Sequence, residues 1–273
     1  MVASPEFRDL SPNQIVPILA DRGTYIASES TMYRALRQAG LATHRSASRP
    51  PRKRPEELVA TRPNQIWSWD ITYLKSPIRG CFYYLYMAVD VFSRKIVGAS
   101  VHDRESGTHA SALMRTACAA TGLPISPDVL HSDNGSVMRG STLLATLQEL
   151  GIASSFSRPR VSDDNPFSEA LFRTCKYRPD FPAGPFKGLE QARSWVAAFV
   201  DWYNEEHRHS GIRFLTPGQR HRGQDHEILA ARKATYEAAR MRKPHRWSRS
   251  TRNWDPIEEV RMHRPLFSRS ETA

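Results

Sequence analysis

Residues 66–75 read IWSWDITYLK. Ile66, Trp67, Trp69, Ile71, Thr72 and Tyr73 are aromatic or β-branched, the residue types that suit a pleated, half-buried surface, so this run predicts a strand. Asp70 interrupts it. A carboxylate in a buried strand costs several kcal/mol to desolvate unless a cation or several donors meet it, which makes Asp70 a candidate for chemistry. Downstream, SPIRG reads as a turn. CFYYLYMAVDVF (81–92) is a nearly continuous apolar run, as expected of a strand covered on both faces, and 96–102 is a third strand. The pattern then alternates: helix 106–121, short apolar strand 129–133, helix 141–150, strand 152–157, then helices 163–177 and 189–207. Three hairpin-connected strands followed by helix–strand–helix–strand–helix predict an α/β domain with a mixed five-stranded sheet flanked by helices.

The chain has 273 residues, with 39 Lys and Arg against 28 Asp and Glu, a formal net charge of +11. Residues 1–62 carry +4 and residues 216–273 carry +6, so a nearly neutral middle lies between basic flanks. A polyanion is the expected partner, nucleic acid first. No run of about 18 apolar residues predicts a membrane span, and the charged start MVASPEFRDL lacks the apolar stretch of a signal peptide. Three cysteines without CxxC spacing point to a reducing compartment, which is expected to be the cytoplasm, in association with the nucleoid.

Upstream of the strands, Ser11-Pro12 is a cap followed by an N1 proline, Ile15, Ile18 and Leu19 supply an apolar face, and Gly23 a stop. Pro17 inside this run predicts a shortened or bent helix. Met32, Tyr33 and Leu36 space a second helix. Two short helices and a tight turn, with Ser30, Thr31, Arg34 and Arg37 on the second, predict a helix-turn-helix-like DNA-binding segment over residues 1–43. HRSASRPPRKRP (44–55) cannot bury apolar surface, so residues 44–61 read as a basic linker, with Arg52, Lys53 and Arg54 as candidate DNA contacts. Residues 62–222 are expected to form the core domain and 223–273 a basic helix and tail, in which Trp247 and Trp254 lie among arginines.

Two further acids share the character of Asp70. Asp133 follows the apolar strand VLHS, and Glu169 lies about one turn into the helix expected from Asp163, with 35 residues between the two. Carboxylates gathered at one sheet edge repel each other and call for a divalent metal. Oxygen donors without clustered Cys or His select Mg²⁺ or Mn²⁺, and two ions would clamp an in-line phosphoryl displacement. At i, i+4 and i+7, Glu169, Arg173 and Lys176 share one helix face, placing a metal ligand and phosphate-binding cations in one groove. Lys176 reads as a phosphate clamp rather than a partner for Glu169. Asp90 reads as a turn acid for Arg94, Asp163 and Asp164 as helix caps, and His131 as a satisfied core histidine. Trp67 and Trp69 read as packing, and Asn134-Gly135 as the turn that aims Asp133.

PNQIWSWDITYL around Asp70, HSDNGS around Asp133, SDDNPFSEALFRTCK around Glu169, and WYNEEHRHSGI with TPGQR downstream resemble one family. This is the integrase-like DDE transposases of bacterial insertion sequences, the downstream-frame subunit of the frameshifting group; IASESTMYR resembles the family's DNA-binding region. The resemblance implies a ribonuclease H-like fold with Asp70, Asp133 and Glu169 as catalytic metal ligands, and Lys176 as a contact to the element's terminal DNA. It implies metal-dependent hydrolysis of a phosphodiester at the element's end, then transfer of the freed 3′-hydroxyl to another phosphodiester. Its implied partners are double-stranded DNA (element ends and target), further copies of the chain, and an upstream-frame segment. The alternative is a DNA-binding remnant or regulator without catalysis that occupies element ends.

Overall fold

The computed structural model describes residues 4, 6–7, 10–39, 57–122, 126–158 and 164–262. The chain divides into two units, residues 1–54 and 55–273. In the first, α1 (Pro12–Asp21) and α2 (Glu29–Gln38) share a small core of Phe7, Ile15, Leu19 and Met32. α1 runs through Pro17 without stopping, since a proline there forfeits only one helical hydrogen bond. Arg34 and Arg37 are exposed on α2. Arg52, Lys53 and Arg54 lie outside the described residues.

The second unit holds the expected five-stranded sheet. β2 (Ile66–Lys75), β3 (Phe82–Asp90) and β4 (Ile96–His102) form an antiparallel meander. β5 (Val129–Ser132) and β6 (Ala153–Phe156) add in parallel beside β2, giving the order β4-β3-β2-β5-β6. One face carries α3 (Gly107–Ala120) and α4 (Ser141–Glu149), packed on Trp67, Trp69, Tyr86 and Leu130. The other carries α5 (Pro166–Lys176) and α6 (Leu189–Glu205), packed on Leu74, Leu85, Met87 and Val89. Side chains of β2 therefore alternate between two cores. Trp67 and Trp69 are fully buried, so they pack rather than stack bases, and truncating either would cost about 3–5 kcal/mol. Gly98 lets α3 lie close to β4: a Cβ there would sit 3.1 Å from the Leu113 side chain.

The flanks differ from expectation. Leu58–Ala60, at the end of the expected linker, forms β1, which pairs antiparallel with β7 (Val260–Met262) from the expected tail. The two strands share an apolar cluster with Ile66, Val91 and Phe92, which favours pairing over a solvated linker. Pro217–His221 forms α7 and Asp225–Arg242 forms α8. Trp254 is buried against Ile212, Leu215 and Leu229, so the basic tail folds back onto an apolar cluster. Among the described residues, no helix is long and apolar enough to cross a membrane.

Candidate active site

Register places the two aspartates. β2 and β5 run parallel with Ser68 opposite His131, so Asp70 and Asp133 each lie two residues beyond that pair. Neighbouring strands are about 4.8 Å apart. Asp133 is the first residue past β5, where the chain leaves the sheet.

α5 is fastened along the same face of β2. At one end the buried Ser68 hydroxyl donates to Oδ1 of Asn165 at 2.5 Å and lies 2.7 Å from the Ser168 hydroxyl, while Asn165 Nδ2 donates to the Trp69 carbonyl at 3.3 Å. At the other, Lys176 Nζ donates to Thr72 Oγ1 at 2.6 Å. Four strand residues and eight helical residues both span about 12–13 Å, so helix and strand match in length. Asp70 lies between the two fastenings. Glu169, next to Ser168, is exposed in the first turn of α5, which starts at Pro166 rather than near Asp163. The positive end of the helix favours a carboxylate there.

These placements bring the three acids within electrostatic reach. Asp70 is pushed up to about 7, mainly because burial penalises its charge, and further by the charges of Asp133, Glu169 and Glu105. The Ile71 N–H, donating to Oδ1 at 2.8 Å, only partly offsets this. Glu105 gave no signal in the sequence; it lies in the loop before α3, where it accepts from the Tyr73 hydroxyl at 3.2 Å.

The supports of Asp133 come from the loops. Ser157 Oγ donates to Asp133 Oδ1 at 2.6 Å, and Asn134 Nδ2 donates to the Ser157 carbonyl, so Ser157 ties down both residues. At Gly135 a Cβ would meet Met138 Sδ at 2.6 Å, so a larger residue there would push the Met138 side chain aside. His131 is a satisfied core histidine, its Nδ1 3.1 Å from Ser155 Oγ and its Nε2 3.0 Å from the Asp164 carbonyl.

Two expectations are corrected. Asp164 does not cap α5, whose N-cap is Asn165; it is buried and accepts a two-pronged bond from Arg158 at 2.8 Å, a charge-assisted pair stronger than a cap hydrogen bond. Asp163 lies outside the described residues. Asp90 is not chiefly a partner for Arg94. It is fully buried and accepts from the Asn64 N–H at 2.7 Å, the Ser93 N–H at 2.6 Å and the Ser93 hydroxyl at 2.5 Å, while the Arg94 guanidinium donates to the Val91 carbonyl. Asn204, in the WYNEEHRHSGI stretch, holds both backbone groups of Ile96 at 2.8 and 3.0 Å.

Chemically, the acids are oxygen donors of the kind Mg²⁺ and Mn²⁺ prefer. Among the described residues, no three His, Cys, Asp or Glu side chains are arranged to hold an ion as they stand. The donor chemistry fits a divalent cation, which would offset both the burial of the Asp70 charge and, secondarily, the charges of Asp133 and Glu169.

Two family models, each described as integrase core domain, match residues 60–162 and 150–217. A transposase for insertion sequence element IS904 of Lactococcus lactis is 32% identical over 159 residues, covering 58% of this chain and 61% of the relative. Transposase InsF of insertion sequence IS3A from Escherichia coli is 28% identical over 165 residues, covering 60% and 56%. The chain thus spans about three fifths of the length of these relatives. A chain of the simian T-cell lymphotropic virus intasome, 20% identical, superposes with a TM-score of 0.50 over 70% of this chain and 73% of its own. That likeness is one of fold, and the fold is ribonuclease H-like. With the two matched segments together running from residue 60 to 217, more than half of its length, the chain belongs to the integrase core domain family and within it resembles the transposases of bacterial insertion sequences.

Proposed function

We propose that the chain is a DNA transposase that hydrolyses a phosphodiester at the end of an insertion sequence and transfers the freed 3′-hydroxyl to target DNA. One observation carries the reading: Asp70 is a carboxylate on a central strand whose pKa is raised first by burial and then by the charges of Asp133 and Glu169, which come from two other segments. A structural role explains such a group poorly, because like charges at a half-buried site destabilise it unless a cation is part of its design.

Asp70, Asp133 and Glu169 would hold Mg²⁺ or Mn²⁺, and two such ions are proposed. The bound metal would supply Lewis-acid polarisation of the phosphoryl oxygens. The protein's own residues orient and neutralise. The β2–β5 register sets the separation of the aspartates, Ser157 aims Asp133, and α5 carries Glu169 at its positive end. Lys176, beside Thr72, places an ammonium group where a scissile strand leaves the acids, and Arg173 adds an exposed guanidinium one turn earlier. Positioning and charge neutralisation then supply the catalysis. Double-stranded DNA is the proposed substrate, with the exposed Arg34 and Arg37, and Arg52, Lys53 and Arg54, as further backbone contacts. Assembly of several copies on DNA and an upstream-frame partner belong to the same proposal.

The full chain with Mn²⁺ and a labelled duplex carrying the element's terminal repeat tests it. Nicked and joined products are expected. Retarded migration without either product would support the non-catalytic alternative, and cleavage of RNA–DNA hybrids without joining would point to a nuclease.

A further inference from the structure

The hairpin that joins β2 to β3 reaches past the rest of the sheet. β4 ends at His102, opposite Tyr84, whereas the β2–β3 ladder continues through Leu74 with Tyr83 and Lys75 with Phe82. This two-stranded ribbon is apolar on its surface. Among the described residues, three of the seven exposed large hydrophobic side chains gather on it: Tyr73, Ile78 and Phe82, at 53%, 68% and 41% exposure. The Tyr73 ring lies 5.7 Å from that of Phe82 and 5.3 Å from that of Tyr84, so the three form a ladder along one face. The turn is internally braced. The Ser76 N–H donates to the Cys81 carbonyl at 3.4 Å, and the Ser76 hydroxyl lies 3.2 Å from the Ile78 carbonyl and 3.0 Å from that of Cys81. Gly80 takes a φ of 85°, the left-handed conformation that favours glycine. The buried Phe186 donates its N–H to the Lys75 carbonyl at 3.0 Å and steadies the base of the turn. Ile78 therefore stands at a fixed tip between Pro77 and Arg79. Lys75 and Arg79 are exposed, and among the described residues neither forms an ion pair.

We propose that this hairpin is a β-ribbon arm that enters the minor groove of the target duplex, wedges Ile78 into a base step and kinks the DNA there. The proposal rests on the transposase reading and deepens it by assigning a surface to the target. Three observations select this occupant. An aliphatic side chain held at a braced tip beside a proline is the kind that partly unstacks a base step, the cost being repaid by the wider contact a bend permits. Lys75 and Arg79 flank that tip and are free to meet phosphates on either side of the groove. A second copy of the chain fits this chemistry less well, because apolar self-association would bury those two unpaired charges. The arm is also continuous with the acids. The Tyr73 hydroxyl donates to Glu105 at 3.2 Å, and the charge of Glu105 reaches Asp70. Five residues of strand from Asp70 to Lys75 span about 16–17 Å, which places the wedge about five or more base pairs from the attacked phosphodiester. Pyrimidine–purine steps kink most easily, so the arm favours a TA or CA step at that distance.

Bending is measured with the full chain, without divalent metal so that no strand is cut. The probe is a duplex of unrelated sequence with a dye at each end and 2-aminopurine in a central TA step. Energy transfer between the dyes reads the bend, and brightening of the 2-aminopurine reads the unstacking. Wild type is expected to bend the probe by an angle in the range of about 20–90° and to brighten the base several-fold. Ile78→Ala, a change at an open surface position, is expected to lose both signals while its affinity stays within about threefold of wild type, because phosphate contacts supply most of the binding. Ile78→Leu is expected to keep both signals. Arg79→Ala is expected to weaken binding and lower the slope of log affinity against log salt by about one. Binding by wild type without either signal, or signals that survive Ile78→Ala, would overturn the wedge alone. So would bending confined to a duplex carrying the element's terminal repeat, or self-association of wild type that Ile78→Ala abolishes with the bend unchanged. Binding of no duplex at all would overturn the DNA reading on which the wedge rests.

Discussion

Lys176 donates from Nζ to Oγ1 of Thr72 at 2.6 Å, two residues beyond Asp70 on the same face of β2. Together with the Ser68–Asn165–Ser168 cluster at the other end, this contact lays α5 alongside the strand that carries the central carboxylate. A lysine in that place has Asp70 within electrostatic reach, and burial lowers its pKa. Under the proposed function it meets a phosphate of the DNA strand.

Lys176→Ala is accordingly expected to weaken DNA binding several-fold across sequences and to reduce the slope of log affinity against log salt by about one. Lys176→Arg should restore most of the slope. Titrations at four or more salt concentrations check this; an unchanged slope would remove Lys176 from the phosphate contacts.

Asp70 makes the metal-free protein pH-sensitive in a stated direction. An unfolded aspartate titrates near 3.9, whereas Asp70 does so at about 7 in the fold. Between those values the native state binds the extra proton. The contribution of Asp70 to stability is therefore full below about pH 4 and is lost as pH rises through about 7. Melting curves in chelator at pH 5 to 8 should show wild type losing stability relative to Asp70→Asn. At pH 8, Mg²⁺ or Mn²⁺ should raise the melting temperature of wild type more than that of the variant.

Asn165 is buried and serves both the Ser68 hydroxyl and the Trp69 carbonyl. Asn165→Ala removes a buried partner from both groups and leaves the Ser68 hydroxyl with Ser168 alone, at a cost of about 1–3 kcal/mol. That corresponds to a fall of several degrees in melting temperature for a unit of this size. Strand-transfer activity should fall further than stability alone explains, because the same bonds set where Glu169 stands. Calorimetry and assay at a temperature where the variant is folded separate the two effects.

Much of this was legible in residue patterns because it depends on local physics. β2 and β4 begin and end where the aromatic and β-branched runs do. Asp70 and Asp133 stood out because a charge in or beside an apolar strand demands an explanation, and Glu169 because it shares a helix face with Arg173 and Lys176. What the pattern missed depends on tertiary pairing. β1 is three residues long and has no period of its own; only β7, some 200 residues later, makes it a strand. The tail read only as basic with interleaved tryptophans, because its charge is visible in sequence and the burial of Trp254 is not. Glu105 lies in an ordinary loop, and nothing about HDRESG shows that its charge reaches Asp70. Asp164 resembled a helix cap by position, yet it pairs with Arg158.

The most direct test is strand transfer with Asp133→Asn and Glu169→Gln, each measured beside DNA affinity and melting temperature. The account predicts that both variants bind the element-end duplex about as tightly as wild type and remain folded, while nicking and joining disappear in Mg²⁺ and Mn²⁺ alike. Transfer that persists in either variant, or is lost only in step with binding, would contradict it.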